Sequence, residues 1–159
     1  MDLCKKKMSG LTNKYVEEIG KKVLGRIFLG TFPCDIQPEV KDKKIFCLVF
    51  NLSKHDTKGS HFVAIFASEK KIIYFDPYGN TLTNPFIKTF INNNKKNRKL
   101  VINNKCIQSC ASIFCGFFCL GFLISQKYDV SLKSFISVFD KTKLNVNDDK
   151  IIEFIQSYI

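Results

Sequence analysis

Cys115 is the residue from which chemistry would start. It ends a polar stretch that begins Gln108-Ser-Cys-Ala-Ser and opens an apolar one, Cys115-Gly-Phe-Phe-Cys-Leu-Gly-Phe122. Such a junction reads as a loop turning into a buried helix. The unpaired N–H groups and partial positive charge at a helix N-terminus favour a thiolate over a thiol. A nucleophilic thiolate still needs a base, an acid to orient that base, and a donor for the oxyanion formed when a carbonyl is attacked. Gln108 stands seven residues before Cys115, far enough for the loop to curl and bring its amide towards the sulfur. There it would donate a hydrogen bond alongside a backbone N–H of the helix start.

The chain has two histidines, His55 and His61. His61 opens a strand-like run, His61-Phe-Val-Ala-Ile-Phe-Ala67, and Lys71-Ile-Ile-Tyr-Phe-Asp76 follows after Ser68-Glu69-Lys70. This spacing predicts an antiparallel hairpin. With its turn centred near Ser68 and Glu69, paired residue numbers sum to about 137–138, which sets His61 opposite Asp76 or Pro77 at the open end. An acid there holds one tautomer of the imidazole and stabilises the imidazolium. Each residue alone also has an ordinary structural account. His61 is then a solvated strand start beside an Asp-Pro turn, Cys115 a small buried hydrophobe, Gln108 a polar loop residue, and His55 an exposed member of the polar loop 53–60.

These residues need elements to hold them. Leu11, Tyr15, Val16, Ile19 and Val23 recur at helical spacing up to Leu24, with Gly25 as a stop. Arg26 to Pro33 is a short apolar piece broken by Gly30 and Pro33, and a polar loop runs from it to Lys44. Ile45 to Leu52 is rich in strand formers on both faces, as in a central strand. Asn84-Pro85 caps and opens a helix carrying Phe86, Ile87, Phe90 and Ile91, which dissolves into a solvated run over 92–99. Leu100 to Ile102 gives one more short strand. Ser131 to Phe139 and Asp148 to Tyr158 are amphipathic, each opened by a capping residue, and predict two closing helices. The expected class is α+β, a central mainly antiparallel or mixed sheet flanked by helices.

A chain of 159 residues, 45% hydrophobic and 25% charged, fits one domain over 1–159 with a substantial core. Its 25 Lys+Arg against 14 Asp+Glu give +11, spread through Lys5 to Lys7, Lys41 to Lys44, Lys95 to Lys99 and beyond. That excess suits a polyanion such as DNA, or only a soluble surface. Seven cysteines, an odd number without paired spacing, argue against a secreted disulfide scaffold and for a reducing intracellular compartment. No apolar h-region follows the charged N-terminus, so no secretory signal is expected. Ala111 to Ile124 is interrupted by Ser112 and shorter than the roughly 18–20 residues of a membrane span, so no membrane partner is expected.

The ordered motifs resemble the adenovirus endopeptidase (adenain) family of cysteine proteases and, more distantly, the SUMO and ubiquitin-like-protein proteases. The order His, acid, Gln, Cys is the family's and reverses that of papain. Gly59-Ser-His61-Phe-Val-Ala is similar to its Gly-x-His-Trp-x-Ala segment, and Ile73-Tyr-Phe-Asp76-Pro-Tyr-Gly79 to Tyr-x-Phe-Glu/Asp-Pro-Phe-Gly. Gln108 to Cys119 matches Gln-Gly-Pro-x-Ser-Ala-Ala-Cys-Gly-Leu-Phe-Cys in the Gln-to-Cys step, and Phe28-Leu-Gly-Thr-Phe32 resembles Phe-Leu-Gly-Thr-Tyr. The similarity spans about residues 27 to 123.

By this resemblance Cys115 is the nucleophile, His61 the general base, Asp76 its orienter and Gln108 the oxyanion donor of a cysteine endopeptidase. It implies protein substrates, among them viral precursors with glycine-containing cleavage sites, a monomer, and location in a virion or in the host nucleus or cytoplasm. No cofactor is required by the sequence, while the resemblance allows DNA or an activating peptide. The family's peptide is disulfide-linked, but Asn97 holds the place of its bridging cysteine, so that link does not carry over. Departures fall at Phe62, where the family has Trp, at Ser109-Cys110 in place of Gly-Pro, and at Ile113-Phe114 in place of two small residues. Three rivals stand beside this reading: a SUMO- or ubiquitin-type deconjugase, an inactive basic nucleic-acid-binding or structural virion protein, and a zinc site on the C-x3-C-x4-C-x3-C series Cys106, Cys110, Cys115 and Cys119.

Overall fold

A computed structural model describes residues 12–57 and 61–159. Leu11, the lysines at 5–7 and the Gly59-Ser60 pair lie outside the described residues. In chain order the elements are α1 (Asn13–Leu24), β1 (Phe28–Pro33), β2 (Phe46–Asn51), β3 (Phe62–Ala67), β4 (Lys71–Phe75), α2 (Pro85–Lys95), β5 (Lys99–Ile102), α3 (Cys115–Lys127), α4 (Leu132–Ser137) and α5 (Asn147–Gln156). Short 3₁₀ turns precede β1 and α5. The strands form one mixed sheet in the order β1-β2-β3-β4-β5. The outer pairs β1–β2 and β4–β5 are parallel, and the inner pairs β2–β3 and β3–β4 antiparallel.

Every residue of β2 and β3 is buried, because helices or loops cover both faces. On one face Cys47, Val49, Phe62, Ala64, Phe66, Ile73 and Phe75 meet α1, α3, α4 and α5. On the other, Phe46, Leu48, Phe50, Val63, Ile65, Ile72 and Tyr74 meet Ile87, Phe90 and Ile91 of α2. The period-2 alternation of the strands divides their side chains between these two cores. Helix α3 is apolar all round and buried from Cys115 to Gln126, so the apolar run is a core helix, as expected. Phe122 stacks on Phe75 with centroids 4.5 Å apart, and burying one such ring is worth about 1.5–3 kcal/mol.

Several elements differ from the sequence expectation. Phe28 to Pro33 is an edge strand, although its Gly and Pro read as breakers; an edge tolerates both, and the register shifts between Phe28 and Thr31. Helix α2 runs on to Lys95 instead of dissolving at Asn92. The reason is Arg98, buried despite lying in a Lys/Asn run. Its guanidinium donates to Ser68 O (2.6 Å), Asn94 O (3.0 Å) and Lys44 O (2.9 Å), tying the end of α2 to the β3–β4 turn and the entry to β2. Ser131 caps α4 through Ser134 N–H, as expected. Helix α5, in contrast, opens at Asn147 out of a 3₁₀ turn without a side-chain cap, leaving Asp148 and Asp149 in its first turn.

The hairpin forms, but one step out of the expected register. Ladder pairs Ala64↔Phe75, Ile65↔Tyr74, Phe66↔Ile73 and Ala67↔Ile72 sum to 139. The turn is centred between Glu69 and Lys70 because Ser68 and Lys71 close it, Ser68 N–H donating to Lys71 O (2.9 Å) and Lys71 N–H to Ser68 Oγ (3.3 Å). The ladder ends at Ala64↔Phe75 and a turn closed by Gly79 N–H on Asp76 O follows, so neither Asp76 nor Pro77 is a ladder partner of His61.

Candidate active site

His61 immediately precedes β3 and Asp76 immediately follows β4, so both side chains sit at the open end of the hairpin. They meet beyond the last ladder pair, with His61 Nε2 2.8 Å from Asp76 Oδ1. The two side chains are only 12% and 2% exposed. The same oxygen, Asp76 Oδ1, also accepts the N–H of Tyr78 at 2.8 Å. From behind, the buried Asn103 donates its Nδ2 to the Asp76 carbonyl (2.8 Å) and to Lys105 O (3.0 Å).

The turn after β4 shapes the approach to Gln108. Gly79 N–H donates to Asp76 O at 2.8 Å, and Gly79 takes φ +71°. A Cβ at this position would lie 2.7 Å from Lys105 C and 2.8 Å from Cys106 N, so only glycine lets the 103–108 loop close against the turn. Ile107 and Gln108 both donate their N–H groups to Pro77 O, at 2.9 and 3.2 Å. Asn147, from the start of α5, holds Ile107 O through Nδ2 at 2.8 Å.

The loop then curls back on itself. Ser112 N–H donates to Ser109 O (2.9 Å), Phe114 N–H to Ser112 Oγ (3.2 Å), and Gln108 Nε2 to Ser112 O (3.2 Å). Gln108 is fully buried, and its Oε1 has no hydrogen-bond partner. One Nε2 hydrogen is spent on Ser112 and a second is left for another acceptor. Cys115 is the first residue of α3, as expected, and is 9% exposed. Position alone leaves its N–H and that of Gly116 without intrahelical acceptors.

Electrostatics couple the thiol to the ring. Burial opposes protonation of His61, yet hydrogen bonding to Asp76 and Cys115, and the negative charge each can carry, outweigh it and raise its pKa to about 9. Asp76 holds the imidazole at Nε2. Cys119, one turn along the helix, is fully buried, and burial pushes its thiol well up. Cys47 is pushed up in the same way. Both behave as inert core thiols. Cys106 and Cys110 are exposed, and Cys106 donates to Gln108 O. No group of three or more His, Cys, Asp or Glu able to hold a metal gathers among the described residues. His55 lies apart, exposed, with Nδ1 2.5 Å from Asp35 Oδ2, a bond that raises its pKa.

The four residues singled out from the sequence thus lie around one end of the sheet. Sequence reasoning missed the groups that hold them: Tyr78, which stacks on His61, together with Asn103 and Asn147. Nothing local marks an asparagine that bonds a backbone carbonyl 27 or 40 positions away.

No protein-family model and no curated protein sequence matches the chain. Solved structures do. A protease of ASFV superposes with a TM-score of 0.66 at 19% identity, covering 97% of this chain and 69% of that one. Its selenomethionine form gives 0.66 at 20%, over 94% and 67%. The SUMO protease Ulp1 gives 0.52 at 12%, over 89% of this chain and 79% of that one. At these identities the likeness establishes the fold, the α+β architecture that these solved structures share.

Proposed function

We propose that the protein is a cysteine endopeptidase working through Cys115, His61, Asp76 and Gln108. The observation that carries this reading is the 2.8 Å contact of the Asp76 carboxylate with the His61 ring, a ring whose raised pKa also reflects the Cys115 thiol that opens α3. With Nε2 engaged by Asp76, Nδ1 is the ring nitrogen left to take the Cys115 proton. The thiolate attacks the scissile carbonyl, and the oxyanion draws on the helix-start N–H groups and the free Nε2 hydrogen of Gln108. His61 protonates the departing amine, leaving a thioester that water hydrolyses to free the acid and restore the thiol.

Phe62 favours an endopeptidase over a SUMO- or ubiquitin-type deconjugase. In the ubiquitin-like-protein proteases the matching position carries a Trp that helps clamp a Gly-Gly tail, whereas Phe62 is buried in the core facing α3. The test is peptide turnover by wild type and by Cys115→Ala, run beside SUMO and ubiquitin probes. Cleavage of glycine-containing peptides that vanishes in Cys115→Ala supports the reading. Probe labelling without peptide cleavage would replace it with the deconjugase.

A nucleic-acid partner belongs to the same proposal, and charge placement supports it. The sheet's far end is built from segments 25–28, 41–45, 68–71 and 95–99, which hold ten basic and two acidic residues. The described segments around the site, 33–37, 51–57, 76–84 and 103–114, hold two basic and three acidic ones. The far-end lysines would meet phosphates as point charges, with steep salt dependence. Duplex binding that weakens in Lys43→Glu/Lys70→Glu, together with peptide turnover measured with and without duplex at two salt concentrations, checks it. Binding unaffected by those substitutions would reduce the +11 to a solubility feature.

A further inference from the structure

We propose that Tyr78 is a positioning residue for the His61–Asp76 pair, its ring fixing the plane of the imidazole while its backbone N–H fixes the carboxylate oxygen that the imidazole meets. This inference rests on the cysteine-protease reading above. The two rings are stacked, with centroids 4.5 Å apart and planes inclined by 20°. The Tyr78 N–H and the His61 ring converge on a single atom, Asp76 Oδ1, each at 2.8 Å. One residue therefore touches both members of the pair, by its side chain and by its main chain.

The fold leaves Tyr78 little freedom to do otherwise. The ladder ends at Ala64↔Phe75, and the tight turn that follows lays the Tyr78 ring on the face of His61. The turn is closed by Gly79 N–H on Asp76 O, and the backbone of Lys105 and Cys106 stands behind Gly79. Rotating the imidazole about its Cβ–Cγ bond would break the stack and the 2.8 Å bond together. With rotation blocked, Nδ1 stays directed away from the carboxylate, available to Cys115. The tyrosine ring is near enough to the thiol to sense it: burial raises its phenolic pKa first, and the charge of Cys115 next. A ring face also attracts a cation stacked upon it, which favours the imidazolium.

The tyrosine hydroxyl has no part in this account, so the stack and the hydroxyl can be separated. Three variants, Tyr78→Phe, Tyr78→Leu and Tyr78→Met, are first checked for a cooperative melt, the Met variant standing in if Leu does not fold. Each is then assayed for peptide kcat and KM across pH and for the titration of His61 by NMR. A misplaced base costs on the order of 10-fold to 100-fold in kcat, so Leu and Met should lose about that much with KM little changed. In both, the His61 pKa should move down. Phe should restore kcat to within about twofold and restore the titration. Leu and Met variants with unchanged kcat and unchanged His61 titration would overturn the proposal. So would equal loss in Phe and Leu with His61 unmoved, since that would make the hydroxyl a substrate contact. If wild type cleaves no peptide, the protease reading fails, and the His61 titration alone still decides whether Tyr78 positions the pair.

Discussion

Replacing Asp76 by asparagine should bring the His61 pKa down by at least one pH unit. The ring titrates at about 9 instead of 6.5, a difference worth roughly 3 kcal/mol in favour of the imidazolium at about 1.4 kcal/mol per pH unit. That figure is already net of burial, which pulls the other way. Asp76 and Cys115 both raise the value, so Asp76→Asn, which keeps the shape but deletes a charge, removes one contribution and leaves the burial cost in place. The assay is an NMR pH titration of the histidine ring protons. The chain has only two histidines, and His55, bonded to Asp35 on the exposed 53–57 loop, serves as an internal reference that should not move. The sign for stability follows. A group whose folded pKa is raised stabilises fully below its unfolded value near 6.5 and loses that contribution as pH rises through about 9. Wild type should therefore lose stability between about pH 6.5 and 9 relative to Asp76→Asn, whose stability curve should be flatter there. In peptide turnover the variant should lose about 10²-fold or more, the range of general acid–base catalysis. A His61 titration unchanged in Asp76→Asn would refute the reasoning, because the 2.8 Å contact would then carry no electrostatic coupling.

Brief iodoacetamide treatment at neutral pH should label Cys115 ahead of the exposed Cys106 and Cys110, and peptide mapping reads the order; faster labelling of either exposed thiol would count against Cys115 as nucleophile. Gln108→Ala should lower kcat by about 10²–10³ with little change in KM, as for loss of one oxyanion donor, measured by steady-state kinetics. Arg98→Ala leaves the carbonyls of Lys44 and Ser68 without their buried donor and should cost about 2–4 kcal/mol in chemical denaturation, at a site far from the cleft. Gly79→Ala forces a Cβ to within 2.8 Å of the 105–106 backbone and a strained φ, so it should lower both the melting temperature and kcat.

Much of this protein is written locally. The Asn84-Pro85 cap, the apolar run that becomes α3 and the two strands of the hairpin each follow from a short pattern whose cause lies within a few residues. The candidate site was legible for the same reason: a thiol at a helix start, an amide seven residues upstream, and a histidine and an acid at matching ends of a hairpin. Where the pattern depended on context it misled. Gly30 and Pro33 break an interior strand but are tolerated in β1 at the sheet's edge. Arg98, in a run of lysines and asparagines, looked solvated yet is buried, because three carbonyls from distant segments converge on it.

The site shows the same division. Residue types and spacing singled out the four side chains proposed for it. The tertiary structure decided how they meet: the Ser68–Lys71 closure moved the hairpin register by one step, and beyond the ladder the His61 ring meets Asp76 Oδ1 while the turn after β4 stacks Tyr78 on that ring. It also supplied Asn103 and Asn147, which hold the turn and the Gln108 loop from elements far along the chain. Periodicity and spacing report forces between neighbours in sequence. Register, stacking and long-range carbonyl contacts come from packing between neighbours in space, which only the folded chain defines.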